Sequence, residues 1–437
     1  MRVEQVYSFV NDIRKQMTGE SAVAVKDAAG LMSFGDEVLS SDTNVENFFG
    51  AIYDLTAKSI INNRPYTPRI RSLLMDTFTF GAILRKIYVD PMDAEESAHW
   101  DALNPAVGEK GVETTEIYIV KPTVQTKIFS GITTFEVDTS TPTIQIRSAF
   151  RSAEEMAAFI DAIMVSLENS FSMYLEALAQ TVYCGLICDR LVYDQNPDSV
   201  TRTRKSNVVV DLRYEYNKFY GLTPSDTGFL ATKEDCNSNP DFYRFASKVI
   251  KEYMKRMEIM GVTFSRPIVD ADGDEHVYYR HTPSSQLKFT VVSDFMSGFE
   301  AYLQSDVWHN DVTKLSGYTE VPYWQGSGNA WGDTRKIKLV ADCTYTDDGS
   351  KKQYTVQQDG VIAILHDFEA MGMTIDNERM YSVFDRRHEV TAIYKKADKG
   401  YFVDPTENAV IFVVADPKST ITTEDVSSIA TPTEYTP

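Results

Sequence analysis

The closely spaced carboxylates of Asp270-Ala271-Asp272-Gly273-Asp274-Glu275 are the part of the sequence most suggestive of metal chemistry. Carboxylates two residues apart can converge on one calcium ion, as they do in EF-hand loops. Such a loop needs a glycine at its sixth position and a bidentate glutamate at its twelfth, where this sequence has Glu275 and His281. The segment is therefore predicted to be a solvated hairpin turn without a metal ion.

Two other motifs lack the surroundings that their chemistry would need. Cys184 and Cys188 share one face of a predicted helix, where thiols pack as small apolar groups, and the sequence supplies no further metal ligands beside them. The glycine-rich loop from Gly326 to Gly332 lacks the strand before it and the helix after it that a phosphate-binding loop requires. Both motifs are predicted to be structural.

The histidines also give no sign of catalysis, because they are scattered singly along the chain. No HExxH motif, serine elbow or cysteine nucleophile signature is present, and the many acidic residues fall in no recognisable catalytic frame. We therefore predict no catalytic, cofactor-binding or metal-binding residues, and an enzyme is the weaker class. The histidines are His99, His276, His281, His309, His366 and His388.

Composition limits the remaining classes. With 437 residues, 43% of them apolar and 12% aromatic, the chain can form two or three domains with real cores. Four cysteines without paired spacing and no signal peptide indicate a reducing compartment, and no run of about 18 apolar residues offers a membrane span. The net charge of −20 argues against a nucleic-acid reader held by phosphate contacts.

The rest of the chain is organised around one predicted helix from Ser152 to about Leu191. It contains no proline, and apolar residues recur along it at steps of three and four. Ser152 and Glu155 form a capping-box pattern at its start. A helix of this length would extend about 55–60 Å, and its sparse charged flanks favour a spine laid across an extended molecule over a coiled coil. The stripe consists of Met156, Ile160, Ile163, Leu167, Phe171, Tyr174, Leu178 and Val182.

The other elements are predicted from periodicity, caps and turn residues. Helices are expected at residues 3–17, 44–62, 240–260 and 294–304, with a short piece at 307–308. Turns are expected at 29–30 and 34–35, and residues 214–237 are expected to be irregular. Strands are expected at 83–89, 115–120, 123–146, 207–212, 287–291, 319–324, 336–340, 361–365, 390–394 and 409–414, with a hairpin over 262–279. Segment 123–146 carries polar residues on both of its predicted faces. It is expected to form a long two-stranded arm that lies on another subunit.

This order of elements resembles the major capsid proteins of tailed bacteriophages, which have the Johnson or Hong-Kong-ninety-seven fold, an α+β fold. FRSAEEMAAFIDAIMVSLENSFSMYLEALAQTVYCG is similar to the entry into the family's spine helix, and LKFTVVSDFMSGFEAYLQSDVWHNDVTKLSGYTEVPYW to its A-domain. DGVIAILHDFEAMGM and NAVIFVVAD resemble the last strands of short-tailed phages of the phi-twenty-nine type and of related gut phages. The likeness runs from about residue 80 to 415.

The resemblance implies a division of the chain into the family's parts. These are an N-terminal arm (1–80), an E-loop (81–150), a P-domain (151–285) that includes both long helices, an A-domain (286–400), a closing strand (401–416) and a flexible tail (417–437). It also implies a shell of hexamers and pentamers in which E-loops overlap neighbouring subunits. The implied partners are further copies, a scaffolding protein, a portal, minor capsid or head-fibre proteins, and packaged double-stranded DNA through weak non-specific contact.

Several alternatives stay open at the level of the sequence. An encapsulin-like cellular compartment uses the same fold, and a soluble metabolic enzyme is the alternative from a different class. Some relatives cross-link a lysine to an asparagine, and the arm contains Lys110, Lys121 and Lys127, although lysines there commonly serve solubility. No immunoglobulin-like domain or fused scaffolding segment is expected. The implied location is the virion capsid, reached through the host cytoplasm during assembly, with no membrane contact.

Overall fold

The computed structural model of the protein describes most of the chain, in stretches separated by gaps. These stretches are residues 3–18, 24–56, 83–89, 124–130, 132–195, 208–269, 275–276, 278–304, 317–324, 337–343, 352–414 and 420–424. The predicted elements at 115–120 and 307–308, the carboxylates of 270–274 and the glycine-rich loop of 326–332 lie outside them.

Nine α-helices occur in the described part of the chain: α1 (Val3–Thr18), α2 (Ala28–Val38), α3 (Asp42–Thr56), α4 (Thr143–Ala149), α5 (Ala153–Gln195), α6 (Leu212–Phe219), α7 (Lys233–Asn237), α8 (Pro240–Met257) and α9 (Ser293–Gln304). The strands described are β1 (Ile83–Val89), β2 (Val124–Ser130), β3 (Ile132–Pro142), β4 (Val209–Asp211), β5 (Ile268–Val269), β6 (Glu275–His276), β7 (Leu287–Val292), β8 (Tyr318–Val321), β9 (Ile337–Cys343), β10 (Lys352–Gln358), β11 (Val361–Asp367), β12 (Met371–Asp385), β13 (Val390–Val403), β14 (Ala409–Val413) and β15 (Thr420–Glu424).

Contacts between residues divide the chain into two units. Unit 1 comprises Met1–Ala82, Gly131–Tyr183 and Met371–Phe402. Unit 2 comprises Ile83–Ser130, Cys184–Ala370 and Val403–Pro437. Each unit is therefore assembled from segments that are distant in the sequence.

The long helix α5 confirms the predicted helix from Ser152 to about Leu191. It has 43 residues, about 65 Å at the usual rise per residue, and begins after Ser152, whose hydroxyl accepts a hydrogen bond from the Glu155 amide at 3.2 Å. Six residues of the predicted apolar stripe are buried, and Ile163 and Tyr174 are half-buried. One window of α5 is long and apolar enough to cross a membrane by length and composition, but 56% of that window is buried inside the protein, as in the core helices of soluble proteins.

Unit 1 buries the first part of α5 against the N-terminal helices. Phe34, Phe48 and Phe150 meet edge to face or tilted, with ring centroids 5.4 to 6.3 Å apart, and they join Met156 and Ile160 of α5 in one apolar cluster. α1 packs on α3, as the apolar periodicity of both helices requires. The predicted helix at 3–17 is confirmed, and the one at 44–62 is confirmed up to Thr56, where the described stretch ends.

The predicted turns at 29–30 and 34–35 are wrong, because both glycines lie inside α2. The Asp27 side chain caps this helix by accepting a hydrogen bond from the Gly30 amide at 2.7 Å. Gly35 faces the ring of Phe150, and a Cβ atom there would lie 2.5 Å from the ring's Cγ. Glycine serves close packing at this position and not a turn.

The β-rich segment 123–146 divides into three elements. β2 pairs with β1 in unit 2, whereas β3 pairs antiparallel with β13 in unit 1, from Ile132↔Gly400 to Pro142↔Val390. Residues 143–149 form α4, so the expected strand up to Ile146 is wrong. These residues therefore do not form a single long two-stranded arm. The two-stranded sheet here consists of β1 and β2. β13 is flanked on its other side by β12, a strand that the sequence analysis missed.

Unit 2 is built on a five-stranded sheet with the order β4-β14-β11-β7-β8. β11 is buried along its whole length between antiparallel neighbours β14 and β7, and the two outer pairs are parallel. α8 packs against α6 on one side and α9 on the other, so these helices lie in the order α6-α8-α9 against the sheet. Their apolar sides and the sheet form the main core of the unit.

The caps of α8 agree with the sequence analysis. The Asn239 side chain accepts from the amides of Asp241 and Phe242 at 2.9 and 3.3 Å, and Pro240 occupies the first helical position. The helix ends at Met257, before the predicted end at Gly261, which instead exchanges backbone hydrogen bonds with Arg280.

Residues 214–237, expected to be irregular, contain two short helices. Asp211 caps α6 by accepting from the amides of Arg213 and Tyr214, and Thr232 forms a capping box with Asp235 at α7. Helices of eight and five residues are too short for an apolar period to be visible. The capping residues were the only local signal.

Two further small sheets lie in unit 2. β5 and β6 pair as the predicted hairpin, and β9, β10 and β15 form a three-stranded antiparallel sheet. β15 lies within the C-terminal segment that was expected to have no structure of its own, and this expectation is wrong for residues 420–424. Its alternating threonines suit pairing with β10.

The buried His366 makes the stability of unit 2 depend on pH. Burial lowers the pKa of His366 to about 4, against the opposing effect of the Asp367 carbonyl and carboxylate, and Lys288 lowers it further. As the pH falls from about 6.5 to about 4, the unfolded chain binds a proton that the folded chain does not, so stability falls. We expect a loss of about 2 kcal/mol between pH 7.5 and pH 5, measured by chemical denaturation. The His366→Gln variant should lose this pH-dependent part, and an unchanged slope would contradict the assignment.

Candidate assembly site

The hairpin of β1 and β2 has two chemically different faces. The strands are antiparallel and in register from Ile83↔Ser130 to Val89↔Val124. Lys86 and Tyr88 of β1 point to the interior of unit 2, where Tyr88 is 4% exposed. Because side chains alternate along a strand, Ile87 and Val89 point the opposite way.

The inward face is anchored on Asp404, whose side chain is fully buried. One carboxylate oxygen of Asp404 accepts from the Tyr88 hydroxyl at 2.5 Å and from the Lys86 ammonium at 3.1 Å. The other accepts from the hydroxyl and amide of Thr406 at 2.6 and 3.1 Å. All four contacts fix the carboxylate, and two of them attach the hairpin to it.

Glu407 and Arg280 complete this group, which we call the Asp404 cluster (Lys86, Tyr88, Arg280, Asp404 and Glu407). Glu407 lies 3.3 Å from the Lys86 ammonium and 3.6 Å from Nε of Arg280. The guanidinium of Arg280 stacks on the Tyr88 ring, 4.4 Å from its centroid. Two cations therefore face two carboxylates, which suits a buried polar site.

The electrostatics of the Asp404 cluster favour a charged Lys86 and a protonated Tyr88. Burial by itself would lower the pKa of Lys86, but the carboxylates of Asp404 and Glu407 outweigh it and raise the pKa. Burial, followed by the charge of Asp404, raises the pKa of Tyr88, so its hydroxyl stays protonated and donates. Burial raises the pKa of Glu407, with Lys86 and Arg280 opposing this. The cluster holds a strand in place and presents no activated nucleophile.

The outward face of the hairpin is apolar and open to solvent. Ile87, Val89, Val124 and Ile128 are exposed by 57%, 54%, 52% and 59%. Ile87 lies opposite Thr126, Val89 opposite Val124 and Arg85 opposite Ile128, so all four aliphatic side chains share one face. Two-stranded sheets are marginal by themselves, and among the described strands neither β1 nor β2 has a second neighbour. This face is therefore a candidate for a surface that another molecule covers.

The residues singled out in the sequence do not gather into a chemical site. Cys184 and Cys188 are buried thiols in α5, as predicted. Lys127 lies on β2 opposite Lys86, while Lys110 and Lys121 fall outside the described residues, as do His99 and His309. In the part of the chain that the structure describes, no three His, Cys, Asp or Glu side chains are placed to hold a metal ion.

The sequence analysis missed the Asp404 cluster, since its members come from distant segments. Tyr88 and Asp404 are 316 residues apart in the chain. The available signal was the order Arg85-Lys86-Ile87-Tyr88-Val89, which places Lys86 and Tyr88 on one face of a strand and Arg85 with two aliphatic residues on the other.

A comparison with protein families identifies the chain. The family model for the phi29-like phage major capsid protein matches residues 10–413. The chain belongs to this family. The sequence resemblance to tailed-phage capsids, drawn from the order of elements, is thereby confirmed.

Solved structures similar to this phi29-like major capsid protein are also phage capsids. The capsid structure of Staphylococcus phage Andhra has 9% sequence identity and a TM-score of 0.50, with 82% of this chain and 87% of that chain covered. That of the cyanophage P-SCSP1u has 8% identity and a TM-score of 0.45, with 82% and 91% covered. The first comparison shows the shared α+β fold of tailed-phage capsid proteins. No curated protein matches the sequence.

Membership in the family decides the class of function. A phi29-like major capsid protein is a structural component of the phage shell and not an enzyme. The hairpin and its Asp404 cluster are accordingly interpreted as part of an assembly surface, and the absence of predicted catalytic residues agrees with that class.

Proposed function

We propose that this major capsid protein assembles as hexamers and pentamers into an icosahedral shell around double-stranded DNA, and that the β1–β2 hairpin contacts a neighbouring copy. The observation that carries the proposal is the two-faced hairpin, with its inward face fixed by the Asp404 cluster and its outward face made of four exposed aliphatic residues. A rigid support under an exposed apolar face favours binding, because little freedom is lost when the partner covers it.

A second copy is the partner that fits this face best. Capsid proteins contact their own copies over large surfaces, and heterologous contacts that close by rotation generate rings. Burying an exposed isoleucine or valine contributes about 1.5–3 kcal/mol at full burial, so the four side chains together can stabilise a contact substantially.

The family's parts are assigned to the chain as follows. The β1–β2 hairpin would belong to the E-loop, α5 as the spine helix and α8 to the P-domain, and β7, α9, β8 and β11 to the A-domain, with β14 as the closing strand. α1 to α3 would belong to the N-terminal arm. Scaffolding protein, portal, and minor capsid or head-fibre proteins are the proposed partners, met first in the host cytoplasm and retained or released as the virion forms. With a net charge of −20, contact with packaged DNA would be weak, non-specific and mediated by counterions.

Placing charge on the outward face of the hairpin should block assembly without unfolding the protein. We expect Ile87→Asp with Ile128→Asp to abolish shells when the protein is expressed with its scaffolding protein, since two buried carboxylates would replace apolar contacts. Electron microscopy and sedimentation would measure shells, and thermal melting would measure folding. The melting temperature should change little, because both side chains are more than half exposed in the single chain.

The matched control is Ile259→Asp, which changes an isoleucine that is 70% exposed and lies outside the hairpin. This variant should still form shells. Normal shells from the double hairpin variant would contradict the proposed contact, and the absence of shells from the unmodified protein with its scaffold would contradict the proposed assembly itself.

A further inference from the structure

The helical layer of unit 2 ends in two surfaces of opposite character. α6 lies beside β4, at one edge of the five-stranded sheet, and α9 contacts β7, next to the opposite edge strand β8. α8 lies between α6 and α9. The outer sides of α6 and of the α9–β8 pair are therefore the two ends of this part of the molecule.

The first of these surfaces is basic and aromatic, and we call it the basic end (Tyr214, Lys218, Phe219, Tyr220 and Lys248). The three aromatic side chains are exposed by 55%, 58% and 53%. Lys218 lies over the Tyr214 ring and Lys248 over the Phe219 ring, 5.8 and 4.3 Å from the centroids. Exposed tyrosine and phenylalanine beside cations are the composition of binding hot spots.

Two acidic residues of α8 near the basic end pair with arginines of the same helix, whereas Glu215 lies on α6 beside Tyr214. Asp241 pairs with Arg244 at 3.0 Å, and Glu252 pairs with Arg256. Neither Lys218 nor Lys248 has a carboxylate within ion-pair distance among the residues that the structure describes. The basic end thus presents two lysines that are available to a partner, on a protein whose net charge is −20.

The opposite surface is acidic, and we call it the acidic end (Asp294, Glu300, Tyr318, Glu320 and Tyr323). The segments 293–304 and 317–324 contain no lysine or arginine. Burial and then the charges of Glu300 and Glu320 raise the pKa of Tyr318, so both carboxylates act on the same place. Within the described stretches neither glutamate has an ion-pair partner. Tyr323, 47% exposed, supplies an aromatic contact beside them.

The two ends cannot satisfy each other within one chain. Four strand spacings of about 4.8 Å separate β4 from β8, which places the edges about 19 Å apart, well beyond ion-pair distance. Among the described residues these opposite charges do not meet within the chain, and a contact between two molecules would bring them together. A head-to-tail contact of this kind uses two different surfaces of the same chain, and repeated around an axis it closes a ring.

We infer that the basic end of one copy docks on the acidic end of the next copy, with Lys218 and Lys248 facing Glu300 and Glu320, and that this contact sets the direction of the ring. The inference rests on the proposed shell function and adds which surfaces meet. Exposed ion pairs contribute little affinity by themselves, so the aromatic side chains would supply most of the energy and the charges would supply register and orientation.

Charge reversal tests the contact. We expect the basic-end reversal (Lys218→Glu with Lys248→Glu) and the acidic-end reversal (Glu300→Lys with Glu320→Lys) each to reduce shell yield at least about tenfold, because like charges would then face each other. The chain that carries all four changes should regain shells. Thermal melting should show that every variant folds, since these side chains lie at the surface.

Mixing the two single-end variants gives a sharper test. The first has two acidic ends and the second two basic ends, so the two chains must alternate around a ring. Alternation closes a ring of six but not a ring of five. The mixture should therefore give hexamers and open sheets or tubes without closed shells, as seen by electron microscopy.

The outcomes separate this inference from the proposed function. Shells from the unmodified chain, together with normal shells from both reversed variants, would overturn the docking contact and leave the shell function standing. No shells from the unmodified chain would overturn the shell function. If a reversed variant fails to fold, Lys218→Gln with Glu320→Gln should still weaken the salt dependence of assembly, and an unchanged salt dependence would count against the contact.

Discussion

Replacing Asp404 with alanine is expected to destabilise the protein by about 3–5 kcal/mol, the usual cost of breaking a buried ion pair by removing one partner. The Lys86 ammonium, 12% exposed, would lose its fully buried carboxylate partner, while Glu407 and the side chain and carbonyl of Glu369 stay nearby. The Tyr88 hydroxyl would lose its acceptor at 2.5 Å. Chemical denaturation followed by tyrosine fluorescence would measure the loss.

The same change should abolish shell assembly, because Asp404 holds the inward face of the hairpin. Without this support the apolar outward face would no longer be presented in one orientation, and ordering it at each contact would oppose binding. Assembly should therefore fail even at temperatures where the Asp404→Ala protein is still folded, which sedimentation at low temperature would show.

Two companion variants separate charge from hydrogen bonding. Tyr88→Phe removes only the hydroxyl and should cost about 1–2 kcal/mol, since the ion pair between Lys86 and Asp404 stays intact. Changing both partners, Lys86→Met with Asp404→Leu, should recover most of the stability lost in Asp404→Ala, because apolar replacement of a buried pair is often neutral. An alanine variant as stable as the unmodified protein would show that the cluster does not support the hairpin.

The sequence was sufficient to predict those elements whose signal is local and repeated. α5 was predictable because its apolar residues recur over some eleven turns and Ser152 marks its start. β1 and α8 were also predictable from local signals, which are a run of strand-forming residues in one case and the Asn239-Pro240 cap in the other. In each of these segments the local sequence is sufficient to predict the type of secondary structure.

Elements and contacts that depend on distant partners were not predictable. β3 looks like a continuation of β2, and only its pairing with β13 places it in a different unit. β12 mixes apolar and polar residues without a regular alternation and β15 is a short threonine-rich segment, so their strand structure depends on neighbours that the local pattern does not reveal. The Asp404 cluster unites side chains from both ends of the chain, and no spacing rule connects residues so far apart.

Gly35 is a single residue whose role could not be predicted from the local sequence. Its replacement is the second change for which we expect a large loss of stability. We expect Gly35→Val to destabilise unit 1 by about 3 kcal/mol, at the upper end of the usual cost of overpacking. A Cβ at this position would lie 2.5 to 2.9 Å from three atoms of Phe150, which is 3% exposed and fixed between Phe34 and Phe48.

The sign of this effect distinguishes packing from helix propensity. A glycine inside a helix normally costs about 1 kcal/mol relative to alanine, so replacing it should stabilise the helix wherever space allows. Gly50 in α3 has no atom within 4 Å of a built Cβ and is the matched control. Gly50→Val should change the free energy of unfolding by less than about 0.5 kcal/mol, since valine is a slightly better helix former than glycine.

Thermal or chemical denaturation of both variants, monitored by far-ultraviolet circular dichroism, would give the comparison. The double variant Gly35→Val with Phe150→Leu should regain part of the loss, because the smaller side chain makes space for the added methyl groups. If Gly35→Val proved as stable as Gly50→Val, the contact between α2 and Phe150 would be loose, and the N-terminal helices would not be held against α5 through this aromatic cluster.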